Sequence, residues 1–236
     1  MSGVWYMVVT ILLVVALGLL IARLYREVFF FEGIRLGDRL HTMLYNSWAD
    51  SYDADKRKVQ RGDARTLVEP LVERLENDAA NTPDALVLDV ATGSGRLPAA
   101  LLGDQRFTGR VIGLDISIGM LGKAAEKLSP FGSRSVLLHQ KALPLPFPDR
   151  TFDAVSCLET VELLADQGAH FGEFLRVMKP GGTLLVSRNT GEWGRNGTVC
   201  PPRQFADNLR SAGFSSIEIR PWWQRFDLVW ARKPAL

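Results

Sequence analysis

Hydrophobic positions along this chain follow three different rhythms. From Val4 to Ala22 the run VWYMVVTILLVVALGLLIA carries no charge. As a helix it would extend about 28 Å at 1.5 Å per residue, close to the thickness of a bilayer's hydrocarbon core. A helix in a soluble core would carry a polar stripe at every third or fourth position, and this one carries none. Next, Leu36, Leu40, Met43 and Leu44 recur at helical spacing with Arg35 and Arg39 between them. That face has two readings: it lies along lipid headgroups, or it packs on the domain that follows. Beyond about residue 60, short apolar runs alternate with amphipathic stretches, the signature of a mostly parallel sheet covered by helices on both faces.

The apolar runs predict strands over 85–91, 110–116, 135–140, 152–158 and 183–188, with helices over 64–75, 96–102, 119–128 and 168–178. Lys179-Pro180-Gly181-Gly182 ends the last of these helices and opens a strand, because Pro cannot continue a helix and Gly tolerates positive φ. In the tail, a helix over 203–212 ends at Gly213, and strands over 216–220 and 226–232 follow. The gap between those strands is too short for a parallel crossover, so the last strand is reversed. The expected organisation is a membrane anchor over 1–23, a juxtamembrane connector and helical segment over 24–60, and one α/β domain over 61–236.

Composition refines this picture in two places. The 28 Lys and Arg against 26 Asp and Glu lack the basic excess of a chain that tracks phosphates, so no nucleic-acid partner is expected. Cys157 and Cys200 are too few and too far apart for a disulfide framework or a zinc site, and no metal is expected. Charge is informative through its position. Arg23, Arg26, Arg35 and Arg39 follow the uncharged run and no Lys or Arg precedes it, which places the domain on the cytoplasmic side of a single-pass anchor. Trp5 and Tyr6 at one end, and Tyr25 with Phe29, Phe30 and Phe31 at the other, suit the two interfacial belts. A cleaved secretory signal would have a basic stretch before a shorter apolar one, and here only Met1, Ser2 and Gly3 come first.

The first strand of the domain runs into Asp89-Val90-Ala91-Thr92-Gly93-Ser94-Gly95. Two glycines at this spacing let the backbone turn sharply and approach a ligand where a Cβ would block it. Asp115 closes the second strand about 20 residues later, where a carboxylate accepts hydrogen bonds from both hydroxyls of a ribose. A pyrophosphate-binding loop carries a third glycine where this chain has Pro98, and Asp89 would repel the phosphates. A nicotinamide-dependent oxidoreductase is therefore disfavoured. Asp89 suits a ligand with a cationic end, such as S-adenosylmethionine with its ammonium and sulfonium.

Ordered motifs carry a family resemblance: VLDVATGSGRL from Val87, GLDIS from Gly113 with ML shortly after, LPFPDRTFDAV from Leu145 and LRVMKPGGTLLV from Leu175. The chain resembles the class I S-adenosylmethionine-dependent methyltransferases from about Leu44 to its end. The run LYNSWADSYD from Leu44 is similar to the segment before the core in the quinone-biosynthesis branch. The resemblance implies a seven-stranded Rossmann-like sheet, mostly parallel, with a reversed C-terminal strand. It implies that Asp89, Ala91, Gly93 and Gly95 surround the methionine part of the cofactor, that Asp115 holds the ribose, that Ile116 packs on adenine and that Leu158 lines the pocket. Gln140 and Ala142 fall where the family recognises the adenine amino group, and Gln140-Lys141-Ala142 replaces the acidic residue usual there.

Methyl transfer needs alignment and exclusion of water, and it needs a base only where the acceptor must lose a proton. No catalytic residue is therefore assigned from sequence. Glu159, Glu162, Arg188 and Asn189 should face the crevice at the C-terminal strand ends. His139 and His170 are the bases considered. Residues 190–202 form either a lid or a connection. An anchored domain meets lipid-soluble molecules at high effective concentration, so the expected acceptor is lipophilic, a quinone precursor or a phospholipid-like molecule. The other reading is a tethered scaffold that keeps the fold without catalysis.

Overall fold

The structure, a computed structural model, describes residues 2–30, 38–60, 62–77, 84–164, 166–190, 200–223 and 226–235. It divides into two compact units, Met1–Ile34 and Arg35–Leu236. The first is a helix, α1 (Ser2–Phe30), whose side chains are described from Trp5 to Leu20 and are exposed throughout. Among the described residues no helix is long and apolar enough to cross a membrane; that stretch alone is shorter than the ~20 residues of a full span. The span expected over Val4–Ala22 is thus not supported by the described part of α1.

In the second unit, α2 (Asp38–Gln60) precedes a π-helical turn, Ala64–Val68, that runs into α3 (Glu69–Glu76). Strand β1 (Leu86–Val90), helix α4 (Arg96–Gly103), strand β2 (Arg110–Asp115), helix α5 (Ile118–Leu128) and strand β3 (Ser135–His139) come next. They are followed by β4 (Phe152–Cys157), α6 (Gln167–Val177), β5 (Met178–Asn189), α7 (Pro202–Ser211), β6 (Ser215–Trp223) and β7 (Phe226–Arg232). The seven strands form one sheet in the order β3-β2-β1-β4-β5-β7-β6. All pairings from β3 to β5 are parallel, and β7 runs antiparallel to both of its neighbours. The reversed strand expected from the short tail gap is β7.

Side chains alternate across this sheet and divide the core in two. Leu88, Val90, Val155 and Val186 pack with Phe171 and Phe174 of α6 and Phe205 of α7. Val87, Ala154 and Leu185 pack with Leu71 of α3, Leu101 of α4 and Ala124 of α5. Each large side chain buried this fully contributes about 2 kcal/mol.

Two boundaries depart from expectation. Strand β5 starts at Met178, ahead of the Pro-Gly-Gly turn, because that turn is accommodated as an irregularity where β5 joins β4: Phe152 pairs with Met178 and Ala154 with Thr183. Strand β6 continues through Pro221 to Trp223 with a shifted register. It is an edge strand, where a missing N–H is tolerated.

The chain leaves β1 toward β2 and β3 and later returns to β4 on β1's other side. A crevice therefore opens at the carboxyl ends of β1 and β4, the topological switch point. Helix α2 closes over it. Asn46 Oδ1 accepts from Ser117 Oγ at 2.7 Å and from the Gly119 N–H at 2.9 Å. Lys123 pairs with Asp50 at 2.9 Å, and Lys127 pairs with Asp53 at 2.7 Å. Leu40 and Met43 are exposed on its outer side. Leu36 lies outside the described residues, as does most of the 190–202 loop.

Candidate active site

At the crevice, β1 ends at Val90 and the loop to α4 turns through three positive φ values: Ala91 at 55°, Gly93 at 55° and Gly95 at 75°. For Ala91 that conformation costs about 1–2 kcal/mol, strain of the kind that collects at ligand sites. A Cβ on Gly93 would meet nothing within 4 Å, so its surroundings are open to a ligand. A Cβ on Gly95 would press on Ala124 at 3.1 Å; that glycine instead lets α4 start against α5.

Two buried carboxylates stand on neighbouring strands here. Asp89 accepts from Thr92 Oγ1 at 2.7 Å and Ser156 Oγ at 2.6 Å. Burial pushes its pKa up to about 6; those two hydrogen bonds and Arg96 pull it down, and the nearby charge of Asp115 pushes it up. Asp115 accepts the Gly93 N–H and the Ser117 N–H, each at 2.8 Å. Burial raises its pKa too, against the backbone donors of Ser117, Gly93 and Ile116. Both groups are buried, and each carboxylate retains lone pairs beyond the bonds it accepts. They suit a ligand that brings an ammonium and ribose hydroxyls.

Asp89 and Asp115 line one cavity of about 160 Å³, together with Ile116, Met120 and Leu158. Of the residues expected to hold a cofactor, Asp89, Ala91, Gly93, Asp115, Ile116 and Leu158 are brought together around it. Gly95, Gln140 and Ala142 are not part of its lining. Gln140 is exposed, and its N–H donates to the Asp115 carbonyl at 3.0 Å. Nearby, His139 Nε2 lies 3.0 Å from the Ile116 carbonyl. The end of β3 thus buttresses the turn that presents Asp115.

Among the acceptor-side candidates, Glu159 lines the cavity and Glu162, Arg188 and Asn189 do not. Arg188 is buried against Asp227 and donates to the Cys200 carbonyl at 2.8 Å. His170 is buried, with Nδ1 2.6 Å from the Asp166 carbonyl. The cavity wall missed from sequence comes from α2: His41, Tyr45 and Tyr52. With Trp48 and Lys56 they share one helical face at four- and three-residue steps, an aromatic stripe beside the aliphatic one singled out earlier.

The stripe is latched at its far end. Lys56 Nζ lies 2.9 Å from Glu159 Oε2, and Arg96 Nη1 donates to Glu159 Oε1 at 2.7 Å. Arg96 also grips both oxygens of Asp63, at 2.5 and 2.6 Å. Burial opposes the charge on Arg96, but Asp63 and Glu159 more than reverse that and hold its pKa above the usual value. Trp48, Tyr52 and Trp223 surround the Lys56 ammonium at 5.9, 5.7 and 5.3 Å from their ring centroids. Glu159 holds this position at φ 55°.

A curated relative, the demethylmenaquinone methyltransferase of Thermobifida fusca, is 32% identical over 192 residues, 76% of this chain and 78% of that protein. Residues 88–186 match the family model of a methyltransferase domain. The chain belongs to the class I S-adenosylmethionine-dependent methyltransferases. Its cofactor is S-adenosylmethionine, which supplies the methyl group, and the Asp89 and Asp115 carboxylates are of the right charge and burial for it. The demethylmenaquinone methyltransferase of Thermus thermophilus is 40% identical over 100 residues, and there this methyltransferase spans only 45% of the relative's length. The 1,6-didemethyltoxoflavin-N1-methyltransferase of Burkholderia thailandensis, solved with S-adenosylhomocysteine, shares the fold at a TM-score of 0.61. Its identity is 18%, over 85% of this methyltransferase and 92% of that chain.

Proposed function

We propose that this methyltransferase methylates a lipophilic ring of the quinone or hydroquinone type, with Asp89 facing the cofactor's ammonium, Asp115 its ribose and Ile116 its adenine. The observation that carries the reading is the remaining lining of the cavity, which includes Tyr45 and Tyr52 of α2 and Leu163 and Leu164 after β4. Aromatic and aliphatic surfaces suit a flat apolar ring better than a phospholipid headgroup. The names of the demethylmenaquinone methyltransferase relatives point to the same class of acceptor.

Membrane association belongs to this reading. It is supported by the uncharged run from Val4 to Ala22, by the exposure of the described apolar side chains of α1, and by the arginines that follow, which argue for the cytoplasmic side. The full chain, incubated with methyl-labelled S-adenosylmethionine and vesicles carrying reduced demethylmenaquinone, should transfer label to the extracted quinone. Label appearing only in phospholipid, or none at all, would refute the quinone acceptor.

A further inference from the structure

In the unit from Arg35 to Leu236, four large apolar side chains among the described residues are exposed: Leu40, Met43, Ile118 and Val136. Scattered singly, such side chains carry no message. Three of these four stand together. Met43 lies three residues before Asn46 on α2, and Leu40 three before Met43, so they continue one row along the helix. Asn46 Oδ1 accepts from the Ser117 hydroxyl and the Gly119 N–H, and Ile118 is the residue between those two. The approach is close: a Cβ on Gly119 would meet the Asn46 Cα at 3.1 Å. Leu40, Met43 and Ile118, at 42%, 67% and 60% exposure, therefore form one apolar rim where the start of α2 meets the start of α5.

The rim borders the cavity. His41 and Thr42 on α2, and Ile116 and Ser117 ahead of α5, belong to the cavity lining, and each is next, or next but one, to a rim residue in the chain. Cations flank the rim. From Arg35 to Leu40 the chain carries Arg35 and Arg39 against Asp38, and Arg39 is exposed. Lys141, also exposed, follows Gln140, whose N–H is bonded to the Asp115 carbonyl. The acid further along the same row of α2, Asp50, is paired with Lys123. Apolar side chains beside cations suit the boundary between anionic headgroups and acyl chains. The uncharged run ends at Ala22 and a short stretch of chain leads on to Leu40. A bilayer that takes up the run therefore keeps the start of α2 within a few nanometres of itself.

We propose that Leu40, Met43 and Ile118 dock on a lipid bilayer, and that the acceptor passes across this rim from the bilayer into the cavity. The inference rests on the lipophilic acceptor and the membrane association proposed above. It gives the exposed aliphatic face at the start of α2 a purpose that the cavity-facing side does not share. A tailed acceptor taking this route keeps its hydrocarbon out of water while its ring reaches the cofactor.

In the full chain, Met43→Cys combined with Cys200→Ser takes an environment-sensitive fluorophore at one place, because Cys157 is buried. Arg106→Cys in the same background, exposed ahead of β2 at the opposite end of the strands, takes it for comparison. Each protein is mixed with vesicles of phosphatidylcholine and phosphatidylglycerol whose acyl chains carry bromine. The fluorophore at position 43 should be quenched and the one at position 106 should not. Leu40→Gln with Met43→Gln should raise KM for vesicle-borne reduced demethylmenaquinone about tenfold. KM for a tail-less naphthoquinol in solution, and KM for S-adenosylmethionine, should keep their wild-type values, which also reports that the variant is folded. Protein that floats with the vesicles while both fluorophores respond alike would overturn the rim and leave membrane association standing. Protein that does not float with them would overturn both. Fluorescence at position 43 already shifted to the blue without vesicles would overturn the docking too. It would give the rim to a second copy if the shift depends on protein concentration, and to the chain's own first helix if it does not. An unchanged KM for the vesicle-borne acceptor would overturn the route across the rim. Methyl transfer to neither acceptor by wild-type protein would overturn the quinone reading, with the docking still decided by the quenching.

Discussion

The two halves of the cavity are built on opposite plans. The floor, made by the ends of β1 and β2 and the loop after β1, is local: Asp89, Ala91 and Gly93 lie within five residues, and Asp115 reaches from the neighbouring parallel strand to the Gly93 N–H. The wall, made by α2 and the segment after β4, is joined by Lys56 and Glu159, 103 positions apart in sequence. The floor is shaped by backbone conformation and hydrogen bonds and is charged toward the ligand. The wall is shaped by side chains and latched by a buried group of charges under aromatic rings. A floor of this kind can keep one cofactor while a wall of the other kind sets the acceptor.

Variants should separate the halves by what they damage. Glu159→Gln should have the largest effect: it leaves Lys56 and Arg96 buried with less compensation, which costs about 3 kcal/mol, or roughly 10 °C of melting temperature for a domain of this size. An unchanged melting temperature in calorimetry would mean that aromatic packing alone holds α2. Asp115→Ala should act on binding, with the fold retained. Losing two hydrogen bonds to a charged acceptor, about 1.5 kcal/mol each, lowers S-adenosylmethionine affinity by about 100-fold. Unaltered affinity would place the ribose elsewhere.

The smallest effect is the pH response of the floor. The Asp89 pKa is raised from 3.8 to about 6 by burial, so its contribution to the stability of the unliganded protein is full below the unfolded value and is lost as pH rises through 6. Cofactor affinity runs the other way, because the ammonium needs the carboxylate. Affinity should fall up to tenfold per pH unit below about 6, and Asp89→Asn should abolish that slope. A slope that survives the substitution would assign it to another group, such as Asp115, whose pKa burial also raises.

Much of the floor was legible before any coordinates. Asp89, Gly93 and Asp115 sit in a strand-loop-helix pattern whose spacing carries its own chemistry, and all three line the cavity. The expectation for Gln140 and Ala142 had no such support: β3 is an edge strand, and its end backs the Asp115 turn instead of reaching the cavity. The wall was not read from the sequence, for a different reason. Of the periodic aliphatic set, Leu40 and Met43 are exposed, which leaves the reading along lipid headgroups open and excludes them from the cavity's side of α2. The inward face carries His41, Tyr45, Tyr52 and Lys56, residues that an apolar-pattern reading sends to solvent.

By itself the sequence determined the alternation of strands and helices, the reversed last strand, and a sharp glycine turn after the first strand, because each depends on residues close together in the chain. Tertiary structure decided which face of α2 turns inward, which of three histidines meets the cavity, and that Glu159 is a latch held by two cations. Those outcomes depend on charges and rings far apart in sequence, whose burial is tolerable only when the fold brings every partner to the same place.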